Sequence, residues 1–331
     1  MNRRLMHFAR VFAQNLAQAS PLLALLFLGG PGCVSHRATQ IVVEQQPKTL
    51  AQKKAYEGLS LKLVTFNIWG LPSWMTGAPS GRYPRIAREI ERLDPDVVLL
   101  QEAWTSKARK SIPHDSWFVA RAAGQHTFFQ QTGLVTLSKF PVLGGEFYPF
   151  SRAAFPDRFV NKGVLKITVQ MPGGQLLNIW NVHMQDAGAT AVRETQVREL
   201  IARVQAAEDG QVADIVGGDF NCPPESPLYQ QLAAALGPNL QQISGADRFI
   251  TWDGLSKEAD AGQTIDYIFL RERASFANVT ATEKVAFTSP VTHQRLSDHL
   301  GIEATLKLNP DTSVAGAEGA RFPGILAHRA P

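Results

Sequence analysis

Short apolar runs that end in an acid, an amide or a histidine recur along this chain. Runs of this kind, rich in Val, Ile and Phe, predict buried strands. Where such strands lie side by side, their polar ends gather at one edge of a sheet, which favours a ligand site there. Carboxylate, amide and imidazole groups suit a hard divalent cation and phosphate chemistry. The polar residues at these positions are Asn67, Gln101 with Glu102, His183, Asp219 with Asn221, Asp266, and Asp298 with His299.

The rest of the pattern predicts strands mixed with amphipathic helices. Apolar residues recur at helical spacing in Tyr83–Leu93 and again in Val192–Val204. Ser226 followed by proline predicts the start of a third helix, which continues to Leu236. Because strands outnumber helices and helices lie between some of them, we expect an α/β fold in which two packed, mostly antiparallel sheets are flanked by helices.

The first 33 residues have the order of a secretory signal. Arginines precede the apolar run Pro21–Leu28, and small residues then lead to Cys33. The run is too short for a permanent membrane-spanning helix. Cys33 resembles the lipidated cysteine of bacterial lipoproteins, so a lipid anchor, cleavage without lipidation and a retained N-terminal anchor all stay open. We expect an exported protein that is secreted, periplasmic or lipid-anchored.

One catalytic domain is expected over residues 59–308, since no long linker interrupts it. Residues 34–58 are polar and weakly patterned, which predicts a linker, and residues 309–331 predict a loose C-terminal tail. The formal net charge of the chain is +4. Removal of residues 1–32 would delete three arginines and leave about +1. A nearly neutral domain offers no argument from charge for non-specific binding to nucleic acid.

Taken in order, four motifs resemble those of the endonuclease/exonuclease/phosphatase superfamily. They are Asn67, the pair Gln101-Glu102, the GDFN stretch at 218–221 and the Ser-Asp-His stretch at 297–299. Each motif alone is weak, whereas the ordered set is specific. The resemblance implies a four-layer α/β/β/α sandwich and a magnesium-dependent phosphoesterase. Mn²⁺ is an alternative cofactor, because both ions prefer oxygen ligands.

The same resemblance implies how the metal and the base are held. Glu102 is the expected magnesium ligand, since a hard cation prefers carboxylate oxygen. Asn67 is expected to help hold the metal or its water, and Asp298 is expected to be a further ligand on the metal or phosphate side. His299 is the expected general base, and Asp266 is its expected orienting partner, because a carboxylate behind an imidazole fixes the tautomer and raises its basicity.

The remaining site residues are expected on the phosphate side. By resemblance, Asp219 and Asn221 orient the attacking water and bind a phosphate oxygen. His183 is expected to donate to the phosphate or to the leaving oxygen. Lys162, within PDRFVNKGV at 156–164, is a candidate phosphate contact as a point charge.

Three stretches are similar to those of the sphingomyelinases, the phospholipase C-type branch of the superfamily. They are NIWGLP at 67–72, QEAW at 101–104 and PDRFVNKGV at 156–164. This similarity implies hydrolysis of sphingomyelin or a related phospholipid and peripheral contact with a membrane. No protein partner is inferred from it. Two alternatives remain open: an exported nuclease that cleaves DNA or RNA phosphodiesters, and a non-catalytic surface lipoprotein.

The segment before the Ser-Asp-His stretch departs from the bacterial sphingomyelinases. Those enzymes carry a long hairpin with exposed aromatic residues there, used for membrane contact. In this chain residues 286–296 are short and contain one aromatic residue, Phe287. Two alternatives for membrane contact stay open. One is a lipid on Cys33, and the other is the apolar group of Trp69, Leu71, Trp74 and Met75, because interfacial aromatic residues favour the bilayer boundary.

Overall fold

The computed structural model describes residues 38–45, 60–78, 80–113, 115–124, 131–172, 174–186, 188–207, 212–245, 249–255, 262–271, 276–285, 287–288 and 294–308. The predicted signal segment, Cys33 and the predicted C-terminal tail lie outside these residues. Within them, strands β1 to β12 are, in chain order, Thr39–Gln45, Ser60–Asn67, Val97–Gln101, Phe118–Ala122, Val135–Ser138, Val142–Pro149, Gly163–Gln170, Leu176–His183, Ala213–Asp219, Asp266–Arg271, Phe276–Val285 and Gly301–Leu308.

Hydrogen bonds join these strands in the order β10-β9-β8-β7-β6-β1-β4-β5-β3-β2-β12-β11. Most neighbours are antiparallel, whereas β2 with β3 and β8 with β9 are parallel. The predicted mixed α/β fold is confirmed, but the expectation of two separate sheets is corrected. Strand β1 pairs with β6 through Thr39 and Gln40 and with β4 through Ile41–Gln45, so it joins the two halves.

Strand β1 also corrects the predicted linker over residues 34–58. Its sequence, TQIVVEQ, contains three consecutive β-branched residues that favour an extended conformation. The side chain of Ile41 is buried against the core, and this burial stabilises the paired strand over an unpaired linker. Residues 39–45 therefore belong to the folded domain.

Six α-helices occur in the described part of the chain, and we number them α1 to α6. In order they are Ser73–Thr76, Tyr83–Leu93, Ser106–Lys110, Thr190–Ala206, Pro227–Leu236 and Leu240–Ser244. The three helices predicted from the sequence correspond to α2, α4 and α5. Helix α5 begins as expected, since the Ser226 side chain accepts a hydrogen bond from the Leu228 N–H and Pro227 occupies the first turn. Among the described residues, no helix has both the length and the apolar character required to cross a bilayer.

The two halves of the strand order face each other across a shared apolar core. This core contains Leu63 and Leu99 from one half and Ile167, Ile179 and Ile215 from the other, all fully buried. A second cluster lies between the sheet and α2, and a third lies between the sheet and helices α4 and α5. Each fully buried Leu or Ile contributes about 1.5–3 kcal/mol relative to exposure. Packing of the halves therefore brings polar strand ends from both together.

Candidate active site

Strand register aligns the predicted polar residues at one edge of the sheet. His183, at the end of β8, lies beside Asp219 at the end of β9. Asp219 in turn lies beside Asp266, the first residue of β10. In the facing half, Asn67 at the end of β2 lies beside Gln101 at the end of β3. The site is thus built from strand ends that only the folded sheet brings together.

Glu102, His183 and Asp219 form a buried cluster that draws on both halves of the sheet. His183 Nε2 lies 3.8 Å from Glu102 Oε1 and 3.7 Å from Asp219 Oδ2. One ligand atom from each of the three residues lies within 4.8 Å of the others. Two buried carboxylates this close repel each other unless positive charge offsets them. This donor set fits a divalent cation that prefers oxygen ligands.

Asn67 lies between the two carboxylates. Its Nδ2 donates to Glu102 Oε1 at 3.0 Å and to Asp219 Oδ2 at 3.1 Å. Its Oδ1 accepts the backbone N–H of Trp69 at 3.0 Å, which fixes the orientation of the amide. The predicted metal-side residue therefore holds the two acids together across the sheet halves.

Backbone conformations that L-residues rarely adopt are concentrated around these side chains. Glu102, Asn221 and Trp69 have φ values of 60°, 52° and 50°. Such conformations cost about 1–3 kcal/mol each and persist where the surrounding structure imposes them. Gly218, directly before Asp219, has φ of 141°, and a Cβ there would lie 2.0 Å from the Val182 carbonyl oxygen. These strained backbone conformations therefore orient the acid and amide side chains at this edge of the sheet.

His299 and Asp266 form the predicted imidazole–carboxylate pair. His299 Nδ1 lies 2.9 Å from Asp266 Oδ2, and both side chains are buried. On the other side of the ring, Nε2 lies 3.7 Å from Asp219 Oδ2. Burial alone would lower the pKa of His299, but the surrounding carboxylates, first that of Asp266, raise it to about 9.

The other predicted residues lie next to these groups. Asp219 Oδ1 accepts the N–H of Asn221 at 3.0 Å, and Asn221 Nδ2 donates to the Met184 carbonyl at 3.1 Å. Asp298 Oδ2 accepts from Trp252 Nε1 at 3.2 Å. These contacts place Asn221 and Asp298 at the site edge, and their roles toward phosphate and metal stay predictions.

The model of the Endonuclease/Exonuclease/phosphatase family matches residues 64–299. That interval includes the strand ends of both halves and the Ser-Asp-His stretch. The chain belongs to this family.

Relatives and solved structures agree with membership of the family. A Drosophila melanogaster protein assigned as a neutral sphingomyelinase is 27% identical over 76% of this chain and 61% of the relative. An inositol phosphosphingolipids phospholipase C of Schizosaccharomyces pombe is 26% identical over 76% of this chain and 69% of the relative. The chain therefore spans about three fifths of the length of the Drosophila protein. The structure of a Staphylococcus aureus beta toxin mutant with bound magnesium ions has the same fold, with a TM-score of 0.57, 18% identity and coverage of 74% of this chain and 99% of that chain.

The ammonium group of Lys162, which is predicted to contact phosphate, contacts other groups of the protein in the structure. Its Nζ lies 2.8 Å from Asp157 Oδ2 and donates to the Met184 carbonyl at 3.0 Å. The same Met184 carbonyl accepts a hydrogen bond from Asn221, whose backbone N–H donates to Asp219. Lys162 is therefore connected to the acidic cluster through Met184 and Asn221. Contact between Lys162 and phosphate stays a prediction.

The sequence does not predict the contacts of three residues that support the site residues. Gln101 was grouped with the strand-end residues, yet its Nε2 donates to Asn181 Oδ1 at 2.8 Å between the sheet halves. Thr251 Oγ1 accepts the backbone N–H of Asp266 at 3.1 Å. The Trp104 ring lies 5.9 Å from the His183 ring, centroid to centroid. Trp104 lies within the QEAW stretch and Thr251 within the ITWD stretch at 250–253, which is also similar to the sphingomyelinases, and neither stretch predicts these contacts.

Proposed function

We propose that this member of the family is a divalent-metal-dependent phosphodiester hydrolase that cleaves the headgroup from a sphingolipid. The observation that carries the proposal is the juxtaposition of the Glu102–His183–Asp219 cluster with the His299–Asp266 pair at one sheet edge. Two relatives named for sphingolipid hydrolysis support the substrate class. The oxygen-rich donor set supports Mg²⁺ as the cofactor, as does a relative in fold that contains magnesium ions, with Mn²⁺ as the alternative.

The residues that would hold the cation are Glu102 and Asp219, with Asn67 and Asp298 beside them. When bound, the cation supplies positive charge that stabilises a phosphodiester in its transition state and offsets the carboxylates that raise the pKa of His299. Asn67 keeps the two acids at a fixed separation before substrate arrives, because it donates to both.

The reaction that these residues support is attack of water on phosphorus. The water oxygen bonds to phosphorus, its proton passes to Nε2 of His299, and the P–O bond to the lipid alcohol breaks. Asp266 accepts from Nδ1 of His299 and so leaves Nε2 as the proton acceptor in the neutral ring. An N–H of His183 donates a hydrogen bond to the phosphate or to the leaving oxygen, and the leaving oxygen takes its proton from solvent water. The products are a phosphorylated headgroup and the lipid alcohol.

Purified protein is expected to release phosphocholine from sphingomyelin vesicles when magnesium is present. We expect Asp219→Ala to lose this activity, because the variant removes one of the two clustered carboxylates. Hydrolysis of sphingomyelin, phosphatidylcholine and plasmid DNA should be measured in parallel with both proteins. DNA cleavage alone, lost in the variant, would retain the site but replace the substrate with nucleic acid. No turnover of any of these substrates, with magnesium binding intact, would favour the non-catalytic alternative.

We also propose that exposed apolar side chains on segments near the candidate site contact the membrane. Trp74, Phe155 and Leu255 are 50%, 45% and 44% exposed. Trp74 lies on α1 shortly after Asn67, and Leu255 lies shortly after Trp252, whose backbone bridges to that of His299. Exposed apolar side chains near such a site can insert at the membrane interface, between the apolar acyl chains and the hydrated headgroups.

Other contacts support this choice of residues. Phe155 follows Ala154, whose N–H donates at 2.7 Å to Gln185 just beyond His183. Phe287, the one aromatic residue of the segment before Ser297, is buried and stacks on Phe66 at 3.9 Å, so it does not serve as an exposed anchor. A lipid on Cys33 would hold the domain at the same membrane surface, and export with lipidation stays a prediction.

Replacing Trp74, Phe155 and Leu255 together with serine is expected to weaken vesicle binding at least about tenfold, since loss of about 1.4 kcal/mol suffices for that change. Cosedimentation with sphingomyelin vesicles measures the binding. Hydrolysis of a water-soluble phosphodiester should stay unchanged, because the acidic cluster is untouched. Arg92→Ser, on the exposed side of α2, is the control for loss of a large surface side chain. Equal losses on soluble and vesicle substrates would assign these residues to the site rather than to the membrane.

A further inference from the structure

Arg82 is a buried arginine whose guanidinium donates to backbone carbonyls of two separate loops. It precedes α2 and is 5% exposed. Its Nη1 donates to the carbonyls of Ile68 at 2.5 Å and Leu296 at 2.8 Å, and its Nη2 donates to the carbonyl of Trp69. A planar guanidinium with several fixed N–H donors can hold such a set, whereas an ammonium is a point charge.

The two loops carry residues of the candidate site. Ile68 directly follows Asn67, and Leu296 directly precedes Ser297 and the Asp298-His299 pair. Ser297 Oγ donates to the Asn67 carbonyl at 2.7 Å, which is a second connection between the same loops. Arg82 therefore lies where a displacement of its side chain would move both loops.

The contacts of Arg82 lead to the acidic cluster through Trp69. The carbonyl of Trp69 accepts from Arg82, and the N–H of Trp69 donates to Asn67 Oδ1 at 3.0 Å. This bond orients the Asn67 amide so that Nδ2 faces Glu102 and Asp219. Trp69 has φ of 50°, a conformation that needs support from its surroundings. The Arg82–Trp69 bond is part of that support.

Burial of the charged Arg82 guanidinium carries a desolvation cost in free energy. Burial lowers the pKa of Arg82, against which the nearby charges of Asp298 and Glu102 favour the protonated form. The ring of Tyr83 lies 4.6 Å from the guanidinium carbon, and the Tyr83 hydroxyl donates to the Leu71 carbonyl of the same loop. An apolar side chain would avoid the desolvation cost but would leave the carbonyls of Ile68, Trp69 and Leu296 without these donors, so the position requires the donor geometry of the guanidinium.

We propose that Arg82 is a positioning residue that joins the loop after β2 to the Ser-Asp-His loop. It thereby holds the Asn67 amide against the two acids that would bind the cation, and it holds Asp298 at the same site. The proposal rests on the proposed function, because it assigns Arg82 to the same metal site. It extends that function by naming a residue that contacts neither the acids of the cluster nor substrate but acts through the backbone.

Isothermal titration of full-length protein with MgCl₂ tests the proposal directly. Arg82→Gln is expected to bind magnesium about 10–100-fold more weakly, as is typical when a residue that orients metal ligands is lost. Its kcat should fall by a similar factor at fixed magnesium, with little change in KM for sphingomyelin. Arg82→Lys should recover part of the affinity, since an ammonium can satisfy some of the three carbonyls.

Arg271→Gln is the matched control. Arg271 donates to the Val204 carbonyl and lies 4.0 Å from Asp214, at the end of β10 opposite to Asp266. It should lose stability without a change in magnesium affinity. Folded Arg82 variants with wild-type magnesium affinity would overturn the proposal, as would failure of both Arg82 variants to fold, which would make the role purely structural. Calorimetry needs no substrate, so an inactive but magnesium-binding wild type would reject only the proposed function.

Discussion

Glu102→Gln is expected to lower the rate of hydrolysis by about 10²–10⁴-fold and to remove most of the magnesium affinity. The variant keeps the size of the side chain and an oxygen for the Asn67 amide, which donates to Oε1 at 3.0 Å in the native protein. What it removes is one of the two negative charges that a cation would bind between Glu102 and Asp219. A bound metal contributes several kcal/mol to transition-state stabilisation, so a loss of about 10²–10⁴-fold in rate follows.

The same variant has a second signature that a loss of folding would not produce. Glu102 and Asp219 repel each other across the Asn67 amide, so neutralising Glu102 should leave the melting temperature in chelator unchanged or higher. The wild type should gain stability on adding magnesium, because a ligand that binds only the folded state stabilises it, whereas Glu102→Gln should not. Glu303→Gln, an acid on β12 paired with Lys62, is the control. Magnesium-dependent stabilisation of the Glu102 variant would remove this residue from the metal site.

Elements with a local signal were predictable from the sequence, and elements held by distant partners were not. The apolar spacing of α2 and the Ser-Pro start of α5 lie within a few residues, so both helices were predicted. Strand β1 pairs with β4 and β6, far along the chain, and its seven residues lie in a polar region that predicts a linker. Its β-branched residues favour an extended conformation, but pairing with β4 and β6 makes it a strand and joins the two sheet halves.

The candidate site shows the same division. Polar residues at the ends of apolar runs were predictable, because strand ends meet at a sheet edge, and the structure places Glu102, His183 and Asp219 together. Arg82 was not predicted, since an arginine next to an amphipathic helix indicates an exposed side chain. Its carbonyl partners at Ile68 and Leu296 are 14 and 214 residues away, and no local pattern marks them.

His299→Ala is expected to lower kcat by about 10²–10⁴-fold, the range typical for loss of a general base. The loss should occur at saturating magnesium, because the Glu102–His183–Asp219 cluster remains. Magnesium affinity measured by calorimetry should therefore change little, in contrast with Glu102→Gln. Asp266→Asn should lower kcat less, by about 10–100-fold, because it retains the imidazole but loses the carboxylate that accepts from Nδ1 at 2.9 Å.

The pair of variants separates proton transfer from metal binding. If His299 acts as the base, the His299 and Asp266 losses should not add in the double variant, since Asp266 works through the imidazole. Asp94→Asn, an exposed acid at the end of α2, controls for loss of a carboxylate and should leave kcat unchanged. A His299→Ala protein within threefold of the wild-type rate would assign the proton transfer to another group. Additive losses would instead mean that Asp266 acts on the cluster directly, through its strand neighbour Asp219.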